Sequence, residues 1–266
     1  MRRFTEVVLM KLGVGIFEGI PLEENLDLAK AAGFDAVFSD EAAAADRTQM
    51  ARWREGCDRR GLYLETAHCS LAEARGLCIP GEEGDRCLRV LMRNVDNCAE
   101  FSVPILVTHA SIHKDFPCSY DEGCRRYALL ADYAADRGVK IAIENTNSVE
   151  FLQRALDALR QENVGFCLDT GHNLCFTPGA DLTAFYPRMI CCHLHDNDGQ
   201  RDAHLYPFEG ICDFPAQMRK MREAGFDGYL TIEMAYSASY RQLYTEAAFV
   251  QKAYDCAVRL REMFTA

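Results

Sequence analysis

Apolar residues in this chain fall into eight short runs, separated by longer stretches in which they recur every three or four positions. The runs are Leu12–Phe17, Phe34–Asp40, Leu62–His68, Pro104–Ala110, Lys140–Thr146, Val164–His172, Met189–Asp196 and Tyr229–Met234. Their length and their bounding glycines and polar residues predict buried strands. The intervening stretches predict helices. Leu88, Leu91, Val95, Cys98 and Ala99 share one helix face, as do Tyr127, Leu130, Ala131 and Ala134, and later Phe249, Val250, Ala253, Tyr254, Ala257 and Leu260. Four of these stretches close on a glycine just before the next run, at Gly33, Gly61, Gly138 and Gly225. Glycine there ends a helix in the left-handed conformation. "SYDE" (Ser119–Glu122) has the form of a capping box. Strand and helix alternating eight times predict parallel βαβ units. Eight units in 266 residues fit one (β/α)8 TIM barrel. A doubly wound open sheet is the alternative α/β arrangement, but "GVGIFEG" after the first run is not the glycine-rich phosphate loop that it would want. No Pro/Gly/Ser linker divides the chain, so a single domain over residues 1–266 is expected.

Composition narrows the function classes. Hydrophobic residues make up 49% of the chain, yet no apolar run approaches the roughly 20 residues of a membrane span. The start, "MRRFTEVVLMKLGVG", lacks the long apolar stretch and small-residue cleavage site of a secretory leader. The thirteen cysteines are an odd number, with no C-x-x-C pair. Many sit inside apolar runs, as reduced core thiols do, so a cytoplasmic protein is expected. The net charge of −11 argues against a nucleic-acid partner and for a small substrate. The most basic segment, "ARWREGCDRRG", also carries acids and reads as a solvated helix face.

The chemistry sits where the runs stop. Active sites of (β/α)8 barrels lie at the carboxyl ends of the strands. Those ends carry His68, His109, Glu144, Asp169 with His172, then His193, His195 and Asp196, and finally Glu233. The loop after the seventh run adds Asp202 and His204. His113 fits no pattern and is read as a loop residue. His193 and His195, two apart, point to the same face of their strand, where one of them serves packing or supports the other. A lone histidine or glutamate at a strand end is usually structural. Six consecutive strands ending in such groups indicate a site for a divalent cation, with imidazole and carboxylate suiting Zn, Mn or Co, or Mg where carboxylates dominate.

The segments "IAIENT", "VGFCLDTGH", "CCHLHDNDG", "RDAHLYPFEGICDF" and "LTIEM" resemble the xylose isomerase-like TIM barrels, a superfamily of sugar isomerases, ketose 3-epimerases, inosose dehydratase and endonuclease IV. The resemblance covers nearly the whole chain. For the epimerase branch it implies one metal held by Glu144, Asp169, His195 and Glu233. It also implies substrate contacts from His172, three after the aspartate, and Arg201, six after the histidine. Glu150 matches a further substrate-contacting position, though it equally suits the first turn of a helix. For the endonuclease branch, the additional metal positions match His68, His109, His172, Asp202 and His204. Against that branch, Ala203 stands where the DNA enzymes carry arginine, "PFEG" replaces their turn, and no short loop offers a wedge for a minor groove. The expected activity is therefore metal-dependent isomerisation or epimerisation of a small carbohydrate (a sugar, a sugar phosphate or an inositol-like polyol). Glu144 and Glu233 would move the proton through an enediolate. The alternative is an endonuclease IV-like phosphodiesterase acting on abasic DNA. "MAYSASYRQLY", after the last run, is expected to line a pocket or a subunit interface of a homo-oligomer.

Overall fold

The structure is a computed structural model that describes residues 10–266 apart from 16, 18 and 113–115. His113 therefore lies outside the described residues. The eight expected strands form as β1 (Leu12–Gly15), β2 (Ala36–Ser39), β3 (Tyr63–His68), β4 (Ile105–Ala110), β5 (Lys140–Asn145), β6 (Val164–Asp169), β7 (Met189–His193) and β8 (Leu230–Ile232). Between and after them run α1 (Leu22–Ala32), α2 (Glu41–Ala45), α3 (Arg47–Arg60), α4 (Leu71–Gly76), α5 (Glu82–Glu100), α6 (Tyr120–Ala135), α7 (Val149–Ala158), α8 (Thr170–Cys175), α9 (Phe214–Glu223), α10 (Ala238–Leu243) and α11 (Glu246–Thr265). The strands pair in parallel in the order β7-β6-β5-β4-β3-β2-β1-β8. A parallel bridge between Leu194 and Ile232 brings the two ends of the sheet together, with the Leu194 N–H donating to the Thr231 carbonyl at 2.8 Å. The result is a nearly closed (β/α)8 barrel.

Local chemistry sets where the elements stop. Gly33 ends α1 with a φ of 110°, and its N–H returns to the carbonyls of Ala29 and Lys30. The Ser119 hydroxyl accepts the Glu122 N–H at 3.3 Å, opening α6 as its sequence predicts. The basic segment of α3 is a solvated face, with Arg59 and Arg60 paired to Glu23 and Asp27 on α1. Two strands end three residues short of their runs. β6 stops at Asp169, because that carboxylate accepts the His172 N–H at 2.6 Å and starts α8. His172 is therefore a helix residue. β7 stops at His193, because the Thr170 hydroxyl takes over the backbone of His195, accepting its N–H at 3.1 Å and donating to its carbonyl at 2.7 Å.

Strand alternation sorts the core into two layers. On β5, Ile141 and Ile143 face the helices, while Ala142 and Glu144 face the barrel axis. The axis holds a small apolar plug of Ile105, Val107, Ala142, Cys167 and Cys191. Above this plug the interior turns polar. Glycine makes one part of that layer possible. A Cβ on Gly15 would lie 2.6 Å from the Phe38 ring, which stacks on His193 at 4.7 Å.

Glu65 is the exception on the axis. It is buried, and it accepts the Thr231 hydroxyl at 2.7 Å. Burial pushes its carboxyl up to about 7, only partly offset by the Thr231 bond. A folded-state pKa above the unfolded value of about 4.3 means that the fold favours the protonated acid. That contribution is complete below the unfolded value and is lost as pH rises through 7. Glu65→Gln keeps the hydrogen bond without the ionisation. It should come close to the wild type at pH 4 and exceed it at pH 8 by about 3 kcal/mol. Denaturant unfolding at the two pH values checks this, and equal stability at pH 8 would count against it.

Candidate functional site

Strand register assembles the site. The β4–β5 pairing sets His109 beside Glu144, and the β6–β7 pairing sets Asp169 beside His193. The Asn145 amide locks the ends of β5 and β6 together, donating to the Asp169 carbonyl at 2.8 Å and accepting its N–H at 2.9 Å. Glu144 is fully buried. Its Oε1 lies 2.6 Å from His193 Nδ1, and its Oε2 lies 3.1 Å from His109 Nε2. His68 and His172 approach the same carboxylate at 3.9 and 3.8 Å. Glu233 Oε2 reaches the same His193 nitrogen at 3.2 Å. Asp169 faces His195, whose Nε2 is 3.0 Å from Oδ1 and 3.1 Å from Oδ2. Asp202 Oδ2 lies 3.3 Å from His172 and 3.4 Å from His204. The rings of His195 and His204 stack at 4.0 Å, with His204 in a left-handed backbone of φ 44°.

Asp196 does different work from its neighbours. Its carboxylate accepts four backbone N–H groups, from Asn197 at 3.0 Å, Phe208 at 3.1 Å, Gly210 at 2.9 Å and Cys212 at 2.9 Å. It fixes the loop that carries Asp202 and His204, and does not face the cluster itself.

The charges of the cluster depend on one another. Burial would raise the Glu144 carboxyl, but His193, His109 and His172 more than reverse this and hold it well below the usual carboxylate range. Asp169 is lowered against its burial by His172 and His195. Asp202 is lowered against its burial by His172 and His204. His193 is raised to about 10 and His204 to about 9, because nearby carboxylates outweigh burial. Burial dominates at His68 and lowers it to about 4, so this imidazole is neutral near pH 7 with a lone pair to give.

The donor set fits a divalent ion. His68 Nε2, His193 Nε2 and His195 Nδ1 are buried without a hydrogen-bond partner, while Glu144 Oε2 and Glu233 Oε2 each meet one imidazole nitrogen, at 3.1 and 3.2 Å. Such an arrangement costs stability unless another ligand serves the orphaned atoms. Ligand atoms within 4.8 Å of one another occur in four overlapping groups. These are His68–Glu144–His193–Glu233, Glu144–Asp169–His172, Asp169–His195–Glu233 and His172–His195–Asp202–His204. Glu144, Asp169, His172, His195 and Glu233 each belong to two of the groups. Beside the cluster opens a cavity of about 450 Å³, lined by His68, His109, His204 and Glu233 and by residues of the β2, β3 and β8 ends.

Two expected residues stand apart. Arg201 is exposed on the anchored loop, where its backbone N–H donates to Asp198. Glu150 lies in the first turn of α7 with its side chain 62% exposed, paired with Arg154 at 2.8 Å. Of "MAYSASYRQLY", Met234 and Ala235 line the cavity, while Tyr236 and Tyr240 pack into the core against Phe249. The central place of His193 was not assigned from sequence; its only signal was the H-x-H spacing that turned it inward with His195. Among the described residues, no helix is long and apolar enough to cross a membrane.

A family model described as xylose isomerase-like TIM barrel matches residues 26–253. The uncharacterised protein y4fM of Sinorhizobium fredii is 28% identical over 191 residues, which are 66% of this chain and 60% of that protein. The chain thus spans less than two thirds of that relative's length. Among solved structures, a D-psicose 3-epimerase crystallised in the presence of D-fructose superposes with a TM-score of 0.75 at 16% identity, covering 97% of this chain and all of that one. The 3-keto-D-glucoside 4-epimerase YcjR from E. coli superposes with a TM-score of 0.70 at 19% identity, covering 95% and 99%. At these identities the superpositions show a shared fold.

Proposed function

This chain belongs to the xylose isomerase-like TIM barrel family, and on that footing we propose that it is a divalent-metal-dependent isomerase or epimerase of a small carbohydrate. The observation that carries the reading is the pair of carboxylates, Glu144 and Glu233, drawn to one imidazole nitrogen beside a cavity of sugar size. The fold shared with two sugar epimerases supports it. Glu144, Asp169, His195 and Glu233 would hold the ion, and three carboxylates with one imidazole suit Mn or Mg as well as Zn or Co. When bound, the ion would supply Lewis-acid polarisation of a substrate carbonyl and its neighbouring hydroxyl.

The rest falls to this chain's own groups. Glu233 lines the cavity, with one oxygen 3.2 Å from His193 Nδ1, and removes the proton from the carbon next to the carbonyl. Glu144, on the other side of the His193 nitrogen, is held ionised by that imidazole. It takes up the proton that His193 carries and returns it to the resulting enediolate, and the proton gained by Glu233 restores His193. His172, close to Glu144 and Asp169, orients a substrate oxygen. The face and the carbon that receive the proton decide between isomer and epimer. The thirteen cysteines are free thiols, which suits a reducing cytoplasm.

One observation favours a second reading, metal-dependent phosphodiester hydrolysis as in endonuclease IV. The group His172–His195–Asp202–His204 adjoins the first, and neighbouring ions could clamp a phosphate between them. The net charge of −11 opposes it. Metal analysis of the purified protein, followed by parallel assays on a ketose panel and on abasic-site DNA, separates the two. Sugar conversion without strand cleavage is expected; strand cleavage alone would replace the first reading with the second.

A further inference from the structure

The cavity beside the cluster has one charged wall that the proposed chemistry does not use. Asp40 and Glu41 line it from the end of β2, facing the same space as His68, His109 and Glu233. Among the described residues, no lysine or arginine lines the cavity, and none pairs with either carboxylate. The nearby Arg75 is turned elsewhere, its Nε donating to the Ser111 hydroxyl at 2.8 Å. The position after β2 where an incoming anion would meet backbone N–H groups is already filled. The Asp40 carboxylate accepts the Ala43 N–H there at 2.9 Å.

A cavity built this way treats two kinds of sugar differently. Carboxylates accept hydrogen bonds from hydroxyl groups, and each has oxygens enough for two such bonds. A phosphate monoester carries close to two negative charges at neutral pH and is repelled by the same wall. A buried atom without a hydrogen-bond partner, His68 Nε2, belongs to a residue lining this space, which makes it the place where a polar ligand would sit.

We propose that Asp40 and Glu41 are specificity determinants that hold the hydroxyl groups of an unphosphorylated sugar and turn away its phosphate monoester. This rests on the carbohydrate reading above and narrows its substrate class. Glu41 is exposed and outside the ion-binding groups, so Glu41→Lys should fold and bind metal as the wild type does.

The test measures binding of free ketopentoses, ketohexoses and inososes, and of their phosphate monoesters, to manganese-loaded protein by calorimetry. In the wild type, the free sugar that binds best should bind about tenfold or more tightly than its ester. In Glu41→Lys that ratio should fall by about tenfold, with manganese affinity unchanged. An ester that binds the wild type as well as its free sugar, or a ratio that Glu41→Lys leaves alone, overturns the proposal while the carbohydrate reading stands. If no sugar of either kind binds the loaded protein, both fall together.

Discussion

Glu233→Gln is expected to lower turnover by about 10²–10⁴-fold when assayed at saturating metal, the usual contribution of a positioned acid or base. The side chain follows β8 directly, lines the cavity and keeps one oxygen 3.2 Å from His193 Nδ1. Glutamine preserves its length and one oxygen, but removes the charge and the basic site. Metal affinity should fall as well, since an anionic ligand is lost, so the comparison must be made along a metal titration. A proton acceptor acts chiefly in the transition state, so kcat should carry most of the loss and KM little. Turnover within about threefold of the wild type under those conditions would remove Glu233 from the proton-transfer step.

Gly171→Ala is expected to weaken divalent-ion binding by about 10–100-fold or more, the scale seen when a ligand loses its orientation. A Cβ at this position would lie 1.9 Å from His195 Cε1 and 2.3 Å from its Nδ1. No side chain tolerates that approach, so either the ring swings away from Asp169 or the start of α8 moves. Asp169 caps α8 through the His172 N–H at 2.6 Å, so the second route disturbs another member of the cluster. Overpacking should also cost about 1–3 kcal/mol of stability. Calorimetric titration with manganese, on protein whose circular dichroism matches the wild type, gives the answer. Unchanged affinity would mean that His195 takes no part in holding the ion.

Much of this site was legible in the sequence because a barrel converts order along the chain into position around a ring. The apolar runs located the strands, and the strand ends pointed to Glu144, Asp169, His195 and Glu233 along with His68, His109, His172 and His193. Choosing those first four as the ion's ligands rests on the family resemblance. What the runs could not show was how side chains trade partners at the mouth. Thr170 takes the His195 backbone off the β7 ladder, and nothing in the hydrophobic pattern announces that hydroxyl. Asp196 looked like one more acid at a strand end, yet its carboxylate collects four backbone N–H groups that lie 1–16 residues along the chain. Glu150 and Arg201 keep the spacing of substrate-contacting positions, but spacing along a helix or loop does not fix where a long side chain points. His193 was under-read for the opposite reason. Its inward direction followed from strand alternation, while its position between two carboxylates depends on the approach of β5 and β8 from either side.

The central claim is that a proton leaves and rejoins a sugar carbon through carboxylates that exchange with solvent. It is tested most directly by incubating the metal-loaded protein with the ketose panel in deuterated water and locating deuterium by NMR. Proton transfer through Glu144 and Glu233 predicts an epimer carrying one deuterium at the carbon beside the carbonyl, or an isomer carrying one at the former carbonyl carbon. Product formed with its hydrogen fully retained, or cleavage of abasic-site DNA by a preparation that leaves every sugar unlabelled, would contradict it.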